Sequence, residues 1–156
     1  MKKIVLTIVA VVLFGGVAFS QVNLGGRFSG GNVFGGELSV QFGMGESNRI
    51  EADLGIYPNG PHHYNDMTVT GAYHWTFNIV KGFGWFIGPG AQLRFRHFND
   101  NTAAELGLGI CAQGGVEYNF DFPLQLSLDV RPMVDVLHLD TDPFFFFAAV
   151  GVRYRF

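Results

Sequence analysis

Hydrophobic and polar residues alternate one by one along most of the chain from Val22 onward. A period of two is typical of a β-strand with one apolar face, whereas an amphipathic helix repeats every three to four residues. Clusters of turn-forming residues interrupt the alternation. The pattern therefore predicts eight strands, at positions 22–29, 33–44, 49–57, 67–79, 84–97, 105–120, 124–137 and 144–156.

The predicted connections are of two kinds. Tight turns lie at 46–48, 80–83 and 121–123, and mostly longer polar stretches, such as YPNGPHHYND at 57–66, join the other strands. Strands joined by a short turn pair in antiparallel fashion. Because short and long connections alternate, all the tight turns would fall at one end. The chain is therefore predicted to be all-β, an eight-stranded antiparallel up-and-down barrel.

The two faces of these strands differ in composition. One face carries apolar and aromatic residues and has no charged position. The other face carries charged residues and many glycines. Its charged and histidine positions are Arg27, Glu37, Arg49, Glu51, Asp53, His74, Arg94, Arg96, Glu105, Glu117, Asp129, Arg131, Asp135, Arg153 and Arg155.

Side-chain volume indicates which face lies inside. An eight-stranded barrel has an interior just wide enough for side chains to fill. The apolar face carries both tryptophans and many Phe and Leu residues, too much bulk for that lumen. Glycines weaken a solvent-exposed strand but make room for long Arg and Glu side chains in a crowded lumen. The charged face is therefore predicted to line the lumen.

An uncharged apolar exterior on a closed sheet is typical of a transmembrane barrel, because closure leaves no unpaired backbone edge in hydrocarbon. The predicted strands have about the 9–11 residues that a tilted membrane strand needs, the first three only marginally. Outward aromatic residues near the tight turns predict a belt at the lipid headgroups. This belt comprises Trp75, Phe77, Trp85, Tyr118, Phe120, Tyr154 and Phe156, and a second group near the loops comprises Phe28, Phe34, Phe95, Phe144 and Phe146.

The first twenty residues have a different character. Two lysines precede an apolar run at 4–14, and a small-x-small ending at 18–20 precedes Gln21. This layout is typical of a cleaved secretory signal, so we predict a signal peptide at 1–20 and the barrel at 21–156. A retained membrane anchor is the alternative, which the shortness of the apolar run disfavours.

Charge and cysteine content exclude some kinds of partner and crosslink. The net charge of −3 and the absence of clustered positive charge argue against a nucleic-acid partner. Cys111, the single cysteine, cannot form an internal disulfide. We expect no cofactor.

With the signal and the eight strands, the ending AAVGVRYRF resembles the small eight-stranded outer-membrane barrels of Gram-negative bacteria, the group of the OmpA transmembrane domain and OmpX. The resemblance covers 21–156 and rests on pattern, not on a catalytic signature. In that family the last strand ends in Phe or Trp, with aromatic or apolar residues at alternate positions before it. Val150, Val152, Tyr154 and Phe156 match this ending, which implies recognition by the barrel-assembly machinery during biogenesis. The resemblance also implies an integral, monomeric protein of the cell outer membrane, surrounded by outer-membrane lipid.

The charged lumen allows two interpretations. Its seven arginines and seven acidic residues are balanced, and an unpaired buried charge is costly, so we expect an ion-pair network that fills the lumen. Arg153 and Arg155 could pair with Glu37, Glu117 or Asp129. The alternative is the polar lining of a narrow, porin-like channel for small solutes, which the width of an eight-stranded barrel disfavours.

Two groups of residues hint at chemistry. His74, next to acidic residues of the neighbouring strand, could act as a general base, although no Ser or Cys nucleophile is aligned with it. His62, His63 and Asp66 in the longest polar stretch could chelate a metal. A lipid-modifying enzyme and a soluble carrier barrel stay alternatives. We predict a non-enzymatic barrel, without catalytic or metal residues, that contributes to envelope structure or surface interaction.

Overall fold

The computed structural model describes residues 21–31, 33–59, 64–98, 104–137 and 143–156, which form eight antiparallel strands. The predicted signal peptide lies outside these ranges. None of the described residues forms a helix long and apolar enough to cross a membrane. The strands are β1 (Val22–Gly31), β2 (Gly35–Gly43), β3 (Asn48–Asn59), β4 (Tyr64–Val80), β5 (Phe83–Phe98), β6 (Ala104–Asn119), β7 (Leu124–Asp135) and β8 (Phe144–Arg155).

Each strand pairs with its neighbours in sequence, and β1 also pairs with β8, so the sheet closes into a barrel. The closing register runs from Asn23 opposite Arg155 to Gly31 opposite Phe147. Closure leaves no strand edge with unpaired backbone groups. The predicted eight-stranded up-and-down barrel is confirmed.

Burial alternates along the strands with a period of two. In β7, the odd-numbered side chains from Gln125 to Asp135 are buried in the lumen, whereas Leu126, Leu128 and Val130 are exposed on the outside. The outer surface carries large apolar side chains around the whole barrel, with Phe28 and Phe34 each 78% exposed. The alternation read from the sequence therefore has the predicted direction, charged inside and apolar outside.

The tight turns lie at one end of the barrel, which we call the tight-turn end, and the opposite end is the loop end. The connections at the tight-turn end cover residues 44–47, 81–82 and 120–123. Gly82 has a φ of 80°, a left-handed conformation that favours glycine. Its carbonyl accepts a hydrogen bond of 2.6 Å from the backbone N–H of Asn119. Two neighbouring turns are thereby joined.

The β3–β4 hairpin is longer than predicted. Tyr57 pairs with Asp66 and Asn59 with Tyr64, so most of the polar stretch at 57–66 is strand rather than loop. The side chains of Tyr57 and Asp66 are buried on the lumen face. This stretch therefore adds two lumen positions to the sheet, one near the end of β3 and one near the start of β4. Their polarity reflects the lumen rather than a loop.

Candidate functional site

Three arginines and four acidic residues meet in the middle of the lumen, and we call them the lumen cluster. They come from five strands, and each is at most 4% exposed. Strand alternation turns them all inward, and the narrow barrel brings them within contact distance across the lumen. The lumen cluster comprises Arg27, Glu37, Glu51, Asp53, Asp129, Arg131 and Arg153.

Arg27 holds the centre of the cluster. Its guanidinium donates to Glu37 on β2, to Asp129 on β7 and, over 2.8 Å, to Asp53 on β3. The Arg131 guanidinium donates to the same Asp53 over 2.5 Å and to Glu37 over 3.1 Å. Two arginines thus share the same two carboxylates, which distributes their charge over a network rather than over separate pairs.

Arg153 differs from Arg27 in having mostly neutral partners. It donates to Glu51 over 3.0 Å and to the hydroxyls of Ser39 and Ser127 over 3.0 and 2.8 Å. Its acidic partner is therefore not among the three residues expected from the sequence. Arg155, the other arginine of that expectation, is half-buried and donates to the carbonyl of Phe120 over 3.3 Å.

Neutral donors complete the cluster, in which four carboxylates face three guanidinium groups. Gln113 donates to Glu51 over 2.9 Å and to Asp129 over 3.2 Å, and Gln41 donates to Glu51 over 2.5 Å. The Tyr57 hydroxyl donates to Glu37. These three residues were not named as lumen residues from the sequence, although each has the lumen parity of its strand.

His74 lies below the cluster, toward the tight-turn end. Its Nδ1 accepts a hydrogen bond of 3.3 Å from Arg49, whose guanidinium lies 4.4 Å from the ring centre of Phe86 and pairs with Glu117 at 2.5 Å. His74 forms hydrogen bonds with Arg49 and Gln113, and none of those described involves a carboxylate that would orient it as a general base. The geometry gives His74 a packing role beside Phe86, with ring centres 4.8 Å apart.

A second group of charges lies above the cluster, toward the loop end. Arg96 binds both carboxylate oxygens of Asp66, over 3.0 and 3.1 Å. Arg94 lies 3.7 Å from Asp135 and 3.9 Å from Asp66. Asp66 is therefore a buried partner of arginine. The other two residues of the predicted metal group, at 62 and 63, lie outside the described residues.

An apolar layer crosses the lumen near the loop end. Tyr57, Cys111, Met133 and Phe147 form a buried cluster, against which Val33 and Phe145 pack. The rings of Tyr57 and Phe147 are 5.6 Å apart. The lumen face therefore contains a few large apolar residues in addition to the charges predicted there. Glu105, assigned to the same face, is exposed at the loop end.

The predicted aromatic belt lies on the outer face at the tight-turn end. Its side chains are exposed apart from Phe120, which is half-buried. Phe77 stacks on Trp85 with ring centres 4.4 Å apart, and Tyr154 meets Phe156 edge to face at 4.9 Å. Trp75 and Tyr118 lie in the same belt. In β8, Val150 and Val152 continue the exposed face of Tyr154.

Comparisons with known proteins show the same architecture. No family model and no curated protein matches the chain. Among solved structures, Neisserial surface protein A (NspA) superposes with a TM-score of 0.67 at 14% identity, over 87% of this chain and 95% of that chain. The N-terminal β-barrel domain of Pseudomonas aeruginosa OprF superposes with a TM-score of 0.65 at 14% identity, over 87% and 97%.

A third structure is a major outer membrane protein from Thermus thermophilus, with a TM-score of 0.59 at 11% identity, over 87% of this chain and 99% of that chain. The chain has the fold of the small outer-membrane barrels. At such low identity the shared feature is the closed eight-stranded sheet itself. The lumen contacts described above are therefore properties of this barrel, to be interpreted from its own residues.

Replacing Arg27 tests how strongly the lumen cluster stabilises the barrel. Arg27→Met removes the partner of three buried carboxylates, so we expect the free energy of unfolding to fall by about 3–5 kcal/mol. Urea unfolding in detergent micelles measures this change. The control is Lys81→Met, which breaks the exposed 3.4 Å pair with Asp121 and should change it by less than about 0.5 kcal/mol. Similar small effects of both substitutions would show that water can solvate the lumen carboxylates in place of arginine.

Proposed function

We propose that the protein is a non-enzymatic integral barrel of the bacterial outer membrane, with a lumen filled by ion pairs, and that it contributes to envelope structure or surface interaction. The observation that carries this proposal is the commitment of the lumen charges to one another. Arg27 and Arg131 both contact Glu37 and Asp53, and Arg27 also contacts Asp129. Charges bound in this way are not available as a pore lining.

The exterior supports a membrane location. Exposed apolar side chains surround the barrel between the aromatic belt and the aromatic residues of the loop end, and all eight strands have at least the nine residues of β2. This length suits a tilted strand that spans a bilayer. In this proposal the belt lies at the periplasmic headgroups, residues 1–20 are the export signal, and the surrounding partner is outer-membrane lipid.

The absence of an enzymatic role is part of the proposal. Lipid modification needs a nucleophile or base that reaches the lipid, whereas His74 is fully buried and faces Arg49 inside the barrel. An envelope protein without chemistry needs only a stable wall and surface loops. The proposed protein works as a monomer, because the closed sheet leaves no strand edge that must be completed by a second chain.

Conductance measurements distinguish the filled lumen from a narrow channel. The folded protein, reconstituted into a planar bilayer, should give no reproducible single-channel current because the lumen cluster and the apolar layer lie across the path through the barrel. Insertion is checked separately by the shifted gel migration of unboiled protein. Reproducible unitary currents that depend on insertion would contradict the filled lumen and favour the channel.

Charges on the outer face test the membrane location. Val130 pairs with Ala148 far from the belt, whereas Leu126 lies opposite the belt residue Tyr118. We expect Val130→Arg to make folding into lipid vesicles less favourable by about 2–4 kcal/mol and Leu126→Arg by only about 0–1 kcal/mol. Equilibrium refolding into vesicles measures both. Equal effects at the two positions would argue against a bilayer centred between the aromatic belt and the aromatic residues of the loop end.

The outer face of β8 is the proposed signal for the barrel-assembly machinery. Val150, Val152, Tyr154 and Phe156 present alternate apolar and aromatic side chains on one exposed surface. Tyr154→Asp and Phe156→Asp should reduce the amount of assembled, heat-modifiable protein in the outer membrane several-fold. His62→Ala with His63→Ala serves as the matched pair of changes elsewhere and should assemble normally. Normal assembly of all four changes would refute the assignment.

A further inference from the structure

A vestibule opens at the tight-turn end, and the proposed function gives it no role. The cavity has a volume of about 1230 Å³ and is lined by the turns and the adjoining strand ends. Small-molecule sites usually have volumes of about 300–1,000 Å³, so the vestibule has room for a ligand of several rings. Deeper in the barrel, the Arg49–Glu117 pair and then the lumen cluster fill the interior. The vestibule is therefore open at the tight-turn end and closed toward the middle of the barrel.

Carboxamide side chains dominate the polar lining of the vestibule, in contrast to the charges in the middle of the lumen. Each carboxamide offers two N–H donors and a carbonyl acceptor without net charge. Such a surface suits a ligand whose groups both donate and accept hydrogen bonds. The seven carboxamide residues of the lining are Gln21, Asn23, Gln41, Asn48, Asn78, Asn119 and Gln125.

The charges around the vestibule cancel. Its lining contains three basic and three acidic side chains. Arg49 pairs with Glu117 at 2.5 Å, and Lys81 with Asp121 at 3.4 Å. An anionic or cationic ligand would therefore meet no excess of opposite charge. The lining favours an uncharged ligand.

Three polar groups at the floor of the vestibule lack a hydrogen-bond partner among the described residues. They are Oδ1 of Asn23, Oε1 of Gln125 and Nη2 of Arg49. Asn23 uses its N–H₂ group on Gln41 and Gln125 uses its own on Asn119, which leaves both carbonyls unpaired. All three side chains are more than nine-tenths buried. Since an unpaired buried polar group is costly, a ligand that supplies donors and an acceptor here recovers that cost.

The rim adds an apolar surface. Phe120 and Phe122 line the vestibule, with ring centres 5.0 Å apart, and Phe122 is 56% exposed. Pyranose rings present C–H groups to aromatic faces and hydroxyls to carboxamides, so a saccharide matches both parts of the lining. One common mode of peptide binding adds a strand to a free sheet edge, and the closed barrel offers no such edge.

We propose that the vestibule at the tight-turn end binds an uncharged oligosaccharide. Its hydroxyl and amide groups hydrogen-bond to Asn23, Gln125 and Arg49 at the floor, and a sugar ring packs on Phe122 at the rim. The binding does not depend on the filled lumen proposed above. Channel currents would contradict the filled lumen, whereas the absence of saccharide binding would contradict only the proposed site in the vestibule.

Titration with chitotriose tests the proposal. The folded protein in detergent micelles is titrated with this uncharged N-acetylglucosamine trimer, with calorimetry for affinity and side-chain amide NMR signals for location. We expect saturable binding that shifts the carboxamide signals of Asn23 and Gln125. Capped trialanine, an uncharged peptide of comparable length, should not saturate the site.

Substitutions assign the binding to the vestibule. Asn23→Leu and Gln125→Leu should each weaken chitotriose binding at least tenfold, and Phe122→Ala at least threefold. The matched control is Gln92→Leu, a buried lumen carboxamide that donates to Thr70 over 2.9 Å and lies outside the vestibule. Its affinity should equal that of the unmodified protein. Shifted gel migration of unboiled samples checks the folding of each variant.

Three results would overturn the proposal. The first is the absence of saturable chitotriose binding by the folded protein. The second is an unchanged affinity in Phe122→Ala, which lies in an exposed turn and decides the matter even where Asn23→Leu and Gln125→Leu fail to fold. The third is preferential binding of capped trialanine, which would assign the vestibule to a peptide.

Discussion

A closed sheet of eight strands has an interior no wider than the side chains that line it, and this limit governs the rest of the structure. Charges on the inner face are cut off from bulk water, so they must neutralise each other across the lumen. Arg27 shows the result, since its guanidinium reaches carboxylates on β2, β3 and β7 at once. Arg27 thereby links β1 to β3 and β7, with which β1 shares no backbone hydrogen bonds.

The same limit divides the interior into layers along the barrel axis. Near the loop end, Met133 and Phe147 belong to the buried apolar layer and need no polar partner. In the middle, the lumen cluster pairs three guanidinium groups with four carboxylates, and neutral side chains supply the remaining donors. Toward the tight-turn end the interior opens into the vestibule, where the exposed polar residues do not have to form a closed network. The interior therefore has an apolar layer near the loop end, is charged in the middle and is open at the tight-turn end.

Strand parity predicted the two faces of the sheet, the alternation of short and long connections predicted the up-and-down barrel, and side-chain volume predicted that the charged face lies inside. These patterns did not predict which charges meet. Arg153 contacts Glu51 across the lumen. Such contacts depend on how far neighbouring strands are shifted along each other, which the alternation of residues does not specify. Asp66 was missed as a lumen residue for a related reason, since a polar strand end facing the lumen has the same composition as a loop. Gln113 has the parity of the lumen face, but a neutral carboxamide gives no sign in the sequence that it will bind Glu51 and Asp129.

A fold that needs only alternation and closure places few demands on the identity of its residues, which agrees with the 14% identity to NspA at a TM-score of 0.67. Stability constrains the lumen cluster, because each of its charges requires a partner. The exposed lining of the vestibule is under no such constraint, since solvent could satisfy lysines or glutamates there as readily as it satisfies carboxamides. Asn23 and Gln125 nevertheless leave their carbonyls unpaired at its floor. A feature that costs stability and is not required for the fold is where the specific activity of such a barrel should be sought.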